Sequence, residues 1–281
     1  MATALILSSH VASSRVGGSV QALALAQFKI DPVLAPTVLF GRHPGWGAPG
    51  GAPTPTEVFE SMLDGIEANG ILERTDLVLT GYFASAAQVR AAARAIDAVR
   101  AAPREEGARK PIIVVDPVMG DSGKGLYVPA DVATAIAAEL MPRADYLTPN
   151  VWELERLSGA SAREPRAAVS AARLTGRPTL VSSVLRGQEI GVVYADRQEA
   201  WFAAHARSAS TPRGSGDLLA ALFAAALVEG QPVSYALARA VGGVAETITA
   251  ADAWNSPELP VVAMGARIKA ASPSVRIERL A

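Results

Sequence analysis

The sequence predicts an α/β fold in which helices cover both faces of a mostly parallel sheet. Short apolar runs alternate with longer helical patterns along the chain, as in folds whose parallel strands are joined by helical crossovers. The chain has 281 residues, of which 50% are hydrophobic, so it can bury a large core. Because no linker is long enough to divide it and no internal repeat is visible, we expect residues 1–281 to form a single doubly wound domain.

The predicted elements follow one another in strand-and-helix order. The predicted strands are Ala4–Leu7, Pro32–Leu34, Leu77–Leu79, Ile112–Val115, Tyr146–Thr148, Thr179–Val181 and Gly191–Tyr194. The predicted helices are Gly18–Phe28, Thr56–Asn69, Ala86–Ala101, Ala130–Leu140, Val151–Leu157, Pro165–Thr175, Leu218–Glu229 and Val233–Ala251. The Leu218–Glu229 run is almost wholly Ala, Leu and Phe, which indicates a buried helix. A proline-rich tail begins at Ser256.

Two glycine-rich segments interrupt this alternation. His43–Pro55 is rich in glycine and proline and is predicted to be an irregular loop. Asp116–Pro129 follows directly on a predicted strand. In an open parallel sheet, ligands bind at the carboxyl ends of the strands. The polar residues predicted to share that edge are Asp116, Thr148, Asn150, Ser182 and Ser183.

Composition and charge argue against several classes of function. The chain contains no cysteine, which excludes disulfide scaffolds, cysteine-rich zinc sites and thiol nucleophiles. Its net charge of -1 and the absence of a basic run argue against a nucleic-acid partner. No apolar stretch approaches the roughly 18 residues of a membrane span, and Met1–His10 lacks the basic segment of a secretory signal. We therefore expect a cytoplasmic protein without membrane association.

The motif Gly214-Ser215-Gly216-Asp217 is the clearest chemical signal. It lies between a predicted loop, Thr211–Arg213, and the helix that begins at Leu218. Unpaired backbone N–H groups and the positive end of the helix dipole favour an anion at such a helix N-terminus. Asp217 is placed to take a proton from an attacking hydroxyl, so the combination indicates phosphoryl transfer. A Gly/Ser/Asp helix cap is the alternative interpretation.

Four oxygen-bearing side chains at predicted strand ends indicate a magnesium site. Asp116 and Asp121 flank a glycine turn, and Asn150 and Glu153 are three residues apart on one face of a helix start. Mg²⁺ is usually held by one or two carboxylates together with waters and nucleotide phosphates. Each residue also has an ordinary structural explanation, because Asp121 is a turn former and Asn150 with Glu153 can complete a capping box.

Other motifs carry less weight. Gly45–Gly50 matches the G-x-G-x-x-G pattern of dinucleotide-binding proteins, but Pro49 and the prolines after it prevent the helix that the pattern requires. The P-loop pattern G-x-x-x-x-G-K-[ST] is absent. The three histidines, His10, His43 and His205, are far apart and have no metal-ligand spacing.

An ordered series of motifs resembles the pyridoxal kinases of the ribokinase-like superfamily. The motifs are Ser8-Ser9-His10-Val11, Val16-Gly17, Thr37–Phe40, Leu79–Tyr82, Asp116–Asp121, Gly125–Pro129, Thr148–Glu155 and Gly214–Asp217. The last of them alone marks only the superfamily, whereas the ordered set is more specific. The resemblance implies a ribokinase-like three-layer α/β/α sandwich with a mostly parallel central sheet.

The resemblance also implies an activity, the ATP-dependent phosphorylation of the 5′-hydroxymethyl group of pyridoxal to pyridoxal 5′-phosphate. It implies Mg²⁺, often K⁺, and a homodimer. Asp217 would be the general base, and the amides of Gly214, Ser215 and Gly216 would bind the transferring phosphoryl group. The implied ATP and phosphate ligands are Asp116, Asp121, Thr148, Asn150, Glu153, Ser182 and Ser183, with Asp116 and Glu153 holding the metal through water. The implied pyridine contacts are Ser9, Val16, Phe40, His43 and Tyr82.

The departures from the family pattern lie on the substrate side. Pro44 in the Gly41–Trp46 loop stands where the family has a threonine that offers a hydroxyl to the ring. Ser8, Gly18 and Val181 also differ from the residues usual at these points. Arg42 and His43 could replace the lost hydrogen bonds, or the substrate could differ. The alternatives are a kinase for another hydroxymethyl heterocycle such as hydroxymethylpyrimidine, and a non-catalytic pyridoxal-binding protein. The choice among pyridoxal, pyridoxine and pyridoxamine stays open.

Overall fold

A ten-stranded sheet forms the centre of the computed structural model, which describes residues 1–208, 212–270 and 275–280. Within these residues the strands are β1 (Thr3–Val11), β2 (Asp31–Phe40), β3 (Gly51–Pro53), β4 (Thr75–Thr80), β5 (Ile112–Val115), β6 (Gly120–Asp121), β7 (Gly125–Leu126), β8 (Tyr146–Leu147), β9 (Thr179–Arg186), β10 (Glu189–Ala195), β11 (Ala200–Ala206) and β12 (Arg276–Arg279). The strand order of the sheet is β12-β11-β10-β9-β8-β5-β4-β1-β2-β3, and β6 pairs with β7 in a separate hairpin.

Helices connect the parallel strands. They are α1 (Gly17–Gln27), α2 (Thr56–Ala68), α3 (Ile71–Arg74), α4 (Ala86–Ala101), α5 (Ala130–Ala135), α6 (Val151–Ser158), α7 (Pro165–Leu174), α8 (Ser215–Val228) and α9 (Val233–Ala253). The last turn after α5, Ile136–Leu140, is π-helical, and short 3₁₀ turns occur at Pro44–Trp46, Met141–Arg143 and Arg267–Lys269. All the predicted strands and helices are present: Ile112–Val115 and Ala86–Ala101 have the predicted ends, and the others differ at one or both ends.

The six central strands from β2 to β9 run parallel, and each strand outside them pairs antiparallel with its neighbours. Alternate side chains of β1 face opposite sides of the sheet: Ala4 and Ile6 pack with α1, α8 and α9, whereas Leu5 and Leu7 pack with α4 and α5. The predicted α/β sandwich with a mostly parallel central sheet is therefore confirmed.

Helix α8 is buried along its length, as its composition predicts. Leu218, Leu222 and Phe223 are fully buried, and each such side chain contributes about 1.5–3 kcal/mol of hydrophobic stabilisation. A Cβ on Gly243 of α9 would lie 2.6 Å from Leu222, so this glycine lets the two helices approach closely. The helix begins at Ser215, earlier than predicted, and this places Asp217 inside its first turn. In the loop predicted before this helix, Thr211–Arg213, Thr211 lies outside the described residues.

Three strands of the ten-stranded sheet, β3, β11 and β12, and both short strands of the β6–β7 hairpin were not predicted from the sequence, because their residues carry weak strand signals. β11 is rich in alanine, a helix former, and it forms because both of its neighbours pair with it. β12 lies in the segment predicted only as a proline-rich tail. The prediction that His43–Pro55 is wholly irregular was wrong, since Gly51–Pro53 pairs antiparallel with β2.

The predicted strand end at Ser182 and Ser183 was also wrong. The strand continues to Arg186 because β10 folds back and pairs with it. The register with β10 shifts at this point, and Ser183 has a left-handed backbone with a φ of 65°. The irregularity turns the two serines toward the edge of the sheet at which β8 ends. There the backbone of Ser182 forms an isolated parallel β-bridge with that of Asn150.

Among the described residues, no helix combines the length and apolar character that crossing a membrane requires.

Candidate active site

A cavity of about 720 Å³ opens at the carboxyl ends of the parallel strands. It extends from β1 and β2 on one side of the sheet to β10 and β11 on the other. All the site residues predicted from the sequence line it: Ser9, Val16, Phe40, His43, Tyr82, Asp116, Asp121, Thr148, Asn150, Glu153, Ser182, Ser183, Gly214, Ser215, Gly216 and Asp217. The fold thus brings them to one place, while their individual roles stay predictions.

The turn that begins α8 is fixed by steric constraints at Gly214. This residue has a φ of 85°, and a Cβ on it would lie 2.0 Å from the carbonyl oxygen of Arg15. Only glycine fits both conditions. The turn is therefore pressed against the β1–α1 connection, and the first N–H groups of α8 face the cavity beside Asp217.

Three carboxylates share the centre of the cavity. Burial raises the pKa of Asp217 to about 6, although hydrogen bonds from the N–H groups of Gly17 and of Asp217 itself lower it. Burial also raises the pKa of Glu153 to about 7. Burial raises the pKa of Asp116 well above its usual range, and the charges of Glu153 and Asp217 raise it further. The Thr148 hydroxyl acts in the opposite direction and lowers this pKa. The cluster consequently favours a cation or protons.

Glu153 and Asn150 support the backbone around this cluster. The Glu153 carboxylate accepts the N–H groups of Asn150 and Met119, both at 2.9 Å, and Asn150 Oδ1 accepts the Glu153 N–H at 2.9 Å. Asn150 Nδ2 donates to the Gly120 carbonyl at 2.8 Å. The capping box is therefore present, and it also fastens the start of the β6–β7 hairpin to α6.

Asp121 lies in that hairpin and shapes its turn. Its Oδ1 accepts the N–H groups of Gly123 and Lys124, each at 2.9 Å. The turn-forming explanation thus accounts for this carboxylate. The hairpin covers part of the cavity, and its Lys124 and Tyr127 are additional lining residues.

The end of the cavity beside β1 and β2 holds His43 in a defined tautomer. Its Nδ1 accepts the Gly45 N–H at 2.9 Å, so in the neutral ring the proton lies on Nε2. Burial lowers the pKa of His43, and the positive charges of Arg213 and Lys124 lower it further. The negative charge of Glu258 raises it. His43 is therefore a neutral Nε2–H donor at this end. Arg42 does not line the cavity, and its Nε donates to the Ala48 carbonyl instead.

The opposite end of the cavity was missed by sequence reasoning. It is apolar and is lined by Ile190, Val192, Leu219, Val241, Val244 and Ile248. His205, Arg207 and Ser208 add polar groups at this end. The apolar residues of α9 have the periodicity of ordinary core positions, so no local signal distinguishes them. One weak signal exists: Gly191 lies inside a strand, where a Cβ would meet the Ala203 carbonyl at 2.4 Å.

Comparisons with known proteins give the family. A family model described as phosphomethylpyrimidine kinase matches residues 66–261. Pyridoxal kinase PdxY of Corynebacterium diphtheriae is 32% identical over 266 residues, which cover 92% of each chain. The chain belongs to the pyridoxal kinase family. A pyridoxine/pyridoxal/pyridoxamine kinase of Bordetella avium is 33% identical over 237 residues, covering 82% of this chain and 78% of the relative.

The solved structures agree with the family. Pyridoxal kinase from Leishmania donovani, in complex with ADP and pyridoxamine, superposes with a TM-score of 0.92 at 26% identity and covers 100% of both chains. The ribokinase-like fold expected from the resemblance is confirmed, and the chain is a kinase. The match to the phosphomethylpyrimidine kinase model begins within α2, after β2, so it includes the residues predicted to bind ATP and phosphate and does not include the Gly41–Trp46 loop.

Proposed function

We propose that the protein transfers the γ-phosphoryl group of ATP to the 5′-hydroxymethyl group of pyridoxal and so forms pyridoxal 5′-phosphate. The observation that carries this proposal is the half-buried Asp217 carboxylate in the first turn of α8, directly after the glycine turn. The N–H groups at such a helix start bind phosphoryl groups. A carboxylate at the same place cannot bind a phosphoryl group, so it is available to accept the proton of an alcohol. The named activities of the relatives support the same reaction.

In this reaction Asp217 accepts the hydroxyl proton. The new bond joins the hydroxymethyl oxygen to the γ-phosphorus, and the bond between that phosphorus and the leaving ADP oxygen breaks. A carboxylate with a pKa of about 6 is largely ionised at neutral pH and is a better base than an ordinary aspartate. The N–H groups of Gly214, Ser215 and Gly216 stabilise the charge on the transferring group.

ATP occupies the rest of the cavity in this proposal. The adenine lies in the apolar end formed by Ile190, Val192, Val241, Val244 and Ile248. The phosphates extend along the polar residues at the strand ends, which are Thr148, Asn150, Ser182 and Ser183. The β6–β7 hairpin with Asp121 excludes water above the reacting groups, which limits wasteful hydrolysis of ATP.

Mg²⁺ fits the central carboxylate cluster. Asp116 and Glu153 are buried, Asp217 is half-buried, and the pKa values of all three are raised, so a divalent cation would relieve their mutual repulsion. Among the described residues, no group of three or more His, Cys, Asp or Glu side chains could hold a metal directly. As the family resemblance implies, Asp116 and Glu153 would hold Mg²⁺ through water, together with the ATP phosphates, which is how Mg²⁺ is usually bound. When bound, the ion neutralises charge on the phosphates.

The pyridine ring lies at the His43 end, among Ser9, Val16, Phe40 and Tyr82. His43 provides an Nε2–H donor near the place where Pro44 has removed a hydroxyl. A donor suits the aldehyde and phenolate oxygens of pyridoxal. It suits the exocyclic amine of hydroxymethylpyrimidine less well, because that amine is itself a donor.

One alternative substrate has specific support. A hydroxymethylpyrimidine kinase is favoured by the description of the matching family model. The alternative of a non-catalytic pyridoxal-binding protein is set aside, because the chain is a kinase. We further propose a single domain over residues 1–281, a homodimer, a cytoplasmic location and K⁺ as a further cofactor, which all stay predictions.

The test is the formation of pyridoxal 5′-phosphate from pyridoxal, ATP and Mg²⁺, with hydroxymethylpyrimidine as the rival substrate. We expect product from pyridoxal at a kcat/KM at least ~10-fold above that of the pyrimidine, about the discrimination that one well-placed hydrogen bond provides. Turnover of the pyrimidine alone would establish the alternative substrate. Tight binding of pyridoxal with no ATP consumption would refute the proposed reaction.

A further inference from the structure

Arg213 connects the two halves of the site. It is the residue immediately before the Gly214–Asp217 turn, and its side chain extends to the loop Gly41–Trp46, which we call the substrate loop. There its guanidinium lies 4.5 Å from the centre of the Trp46 ring and donates to the Gly45 carbonyl at 3.3 Å. Arg213 also lines the cavity, whereas nothing in the sequence analysis assigns it a role.

The substrate loop is built to receive this group. A Cβ on Gly45 would lie 2.6–2.8 Å from guanidinium atoms of Arg213, so the absence of a side chain at Gly45 makes the space. The Trp46 ring covers the other side and is 46% exposed, as expected for a ring that stacks a cation at the surface. The positive charge is consequently held at one position on the wall of the cavity.

Two cationic side chains and one carboxylate act on His43 at this end of the cavity. After the larger effect of burial, Arg213 and Lys124 lower the pKa of His43 and Glu258 raises it. The Glu258 carboxylate also accepts the Arg15 N–H at 2.8 Å, so part of its charge is already engaged. A second cation placed beside His43 would therefore be repelled by Arg213 and Lys124, whereas the carboxylate cluster at the centre of the cavity favours a cation.

We propose that Arg213 is a specificity-determining residue that disfavours ring substrates with a cationic group next to the reacting hydroxymethyl group. Among the B6 vitamers this substrate is pyridoxamine, because its primary amine is protonated at neutral pH. Pyridoxine carries an uncharged hydroxymethyl group at the same ring position, and pyridoxal an aldehyde. The proposal rests on the proposed function and adds the order of preference among its substrates.

The experiment compares kcat/KM for pyridoxine and pyridoxamine in the wild-type protein and three variants. Arg213→Gln removes the charge, and Arg213→Lys keeps it. Arg42→Gln is the matched control, because it removes one positive charge from the same loop but from a side chain that does not line the cavity. We expect Arg213→Gln to lower the pyridoxine-to-pyridoxamine ratio about fivefold to tenfold, and the other two variants to stay within about twofold of wild type.

Thermal unfolding of each variant identifies any fold defect. Such a defect lowers kcat/KM for both substrates and leaves the ratio of the two values unchanged. An unchanged ratio in Arg213→Gln, or an equal fall in Arg42→Gln, would overturn the proposal. A protein that phosphorylates none of the vitamers would instead refute the proposed function. Equal wild-type kcat/KM for both vitamers, with Arg213→Gln unchanged, refutes only the role of Arg213.

Discussion

Replacing Asp217 by asparagine separates the chemical role of this residue from its effect on stability. Asparagine has nearly the same shape and keeps an oxygen that can accept the Gly17 N–H, but it cannot take a proton. We expect kcat to fall at least ~10²-fold, the lower limit for loss of a general base. The dissociation constant of ATP, measured by titration calorimetry, should change less than about threefold, because the glycine turn is unaltered.

The same substitution should stabilise the ligand-free protein. Burial raises the pKa of Asp217 from 3.8 to about 6, so ionisation costs about 3 kcal/mol more in the folded than in the unfolded chain at neutral pH. Asparagine removes this cost but also loses the charge that its N–H partners stabilise. We therefore expect the free energy of unfolding at pH 8 to rise by about 1–3 kcal/mol. The gain should shrink as the pH falls from about 6 toward 4, where the wild-type carboxylate becomes protonated.

The assays are urea unfolding at pH 5 and pH 8 and the rate of pyridoxal 5′-phosphate formation. Asp64→Asn, at an exposed position of α2, is the control and should change neither quantity. Near-normal turnover of Asp217→Asn would remove Asp217 from the mechanism. A fall in the free energy of unfolding at pH 8 would show that the ionised carboxylate is not destabilised by burial, and the argument from its pKa would be wrong.

The remaining predictions concern pH, the glycine turn and the adenine end. Raised pKa values at Asp217 (about 6) and Glu153 (about 7) mean that the ligand-free wild type should lose stability as the pH rises from about 4 to 7; thermal melts should show this, and Mg²⁺ with ATP should reduce it. Gly214→Ala forces a Cβ to within 2.0 Å of a carbonyl oxygen at a φ of 85° and should cost at least ~1–3 kcal/mol in urea unfolding. Gly216→Ala is its matched control, since a Cβ there meets nothing within 4 Å. Val244→Trp should fill the apolar end and raise KM for ATP at least ~10-fold without changing KM for pyridoxal, as steady-state kinetics would test.

Much of the candidate site is readable from the sequence because its signals are local. A polar residue after an apolar run, as at Asp116 or Thr148, marks a strand end, and the carboxyl ends of parallel strands meet at one edge. Gly214–Asp217 is legible because an Ala- and Leu-rich helix follows it directly. The elements with strong periodicity, such as α4 and α8, are likewise predictable from nearest-neighbour patterns.

Only the tertiary structure decided the features that depend on distant partners. β11 exists because its neighbours complete its hydrogen bonds, not because its alanines favour a strand. The apolar adenine end and the stacking of Arg213 on Trp46 join segments far apart in sequence. The raised pKa values of Asp116, Glu153 and Asp217 arise from shared burial, which no local pattern encodes. The sequence by itself determined the order of elements and the chemistry available at their ends. Packing determined which ends meet, because burial and electrostatic coupling depend on distance in space and not along the chain.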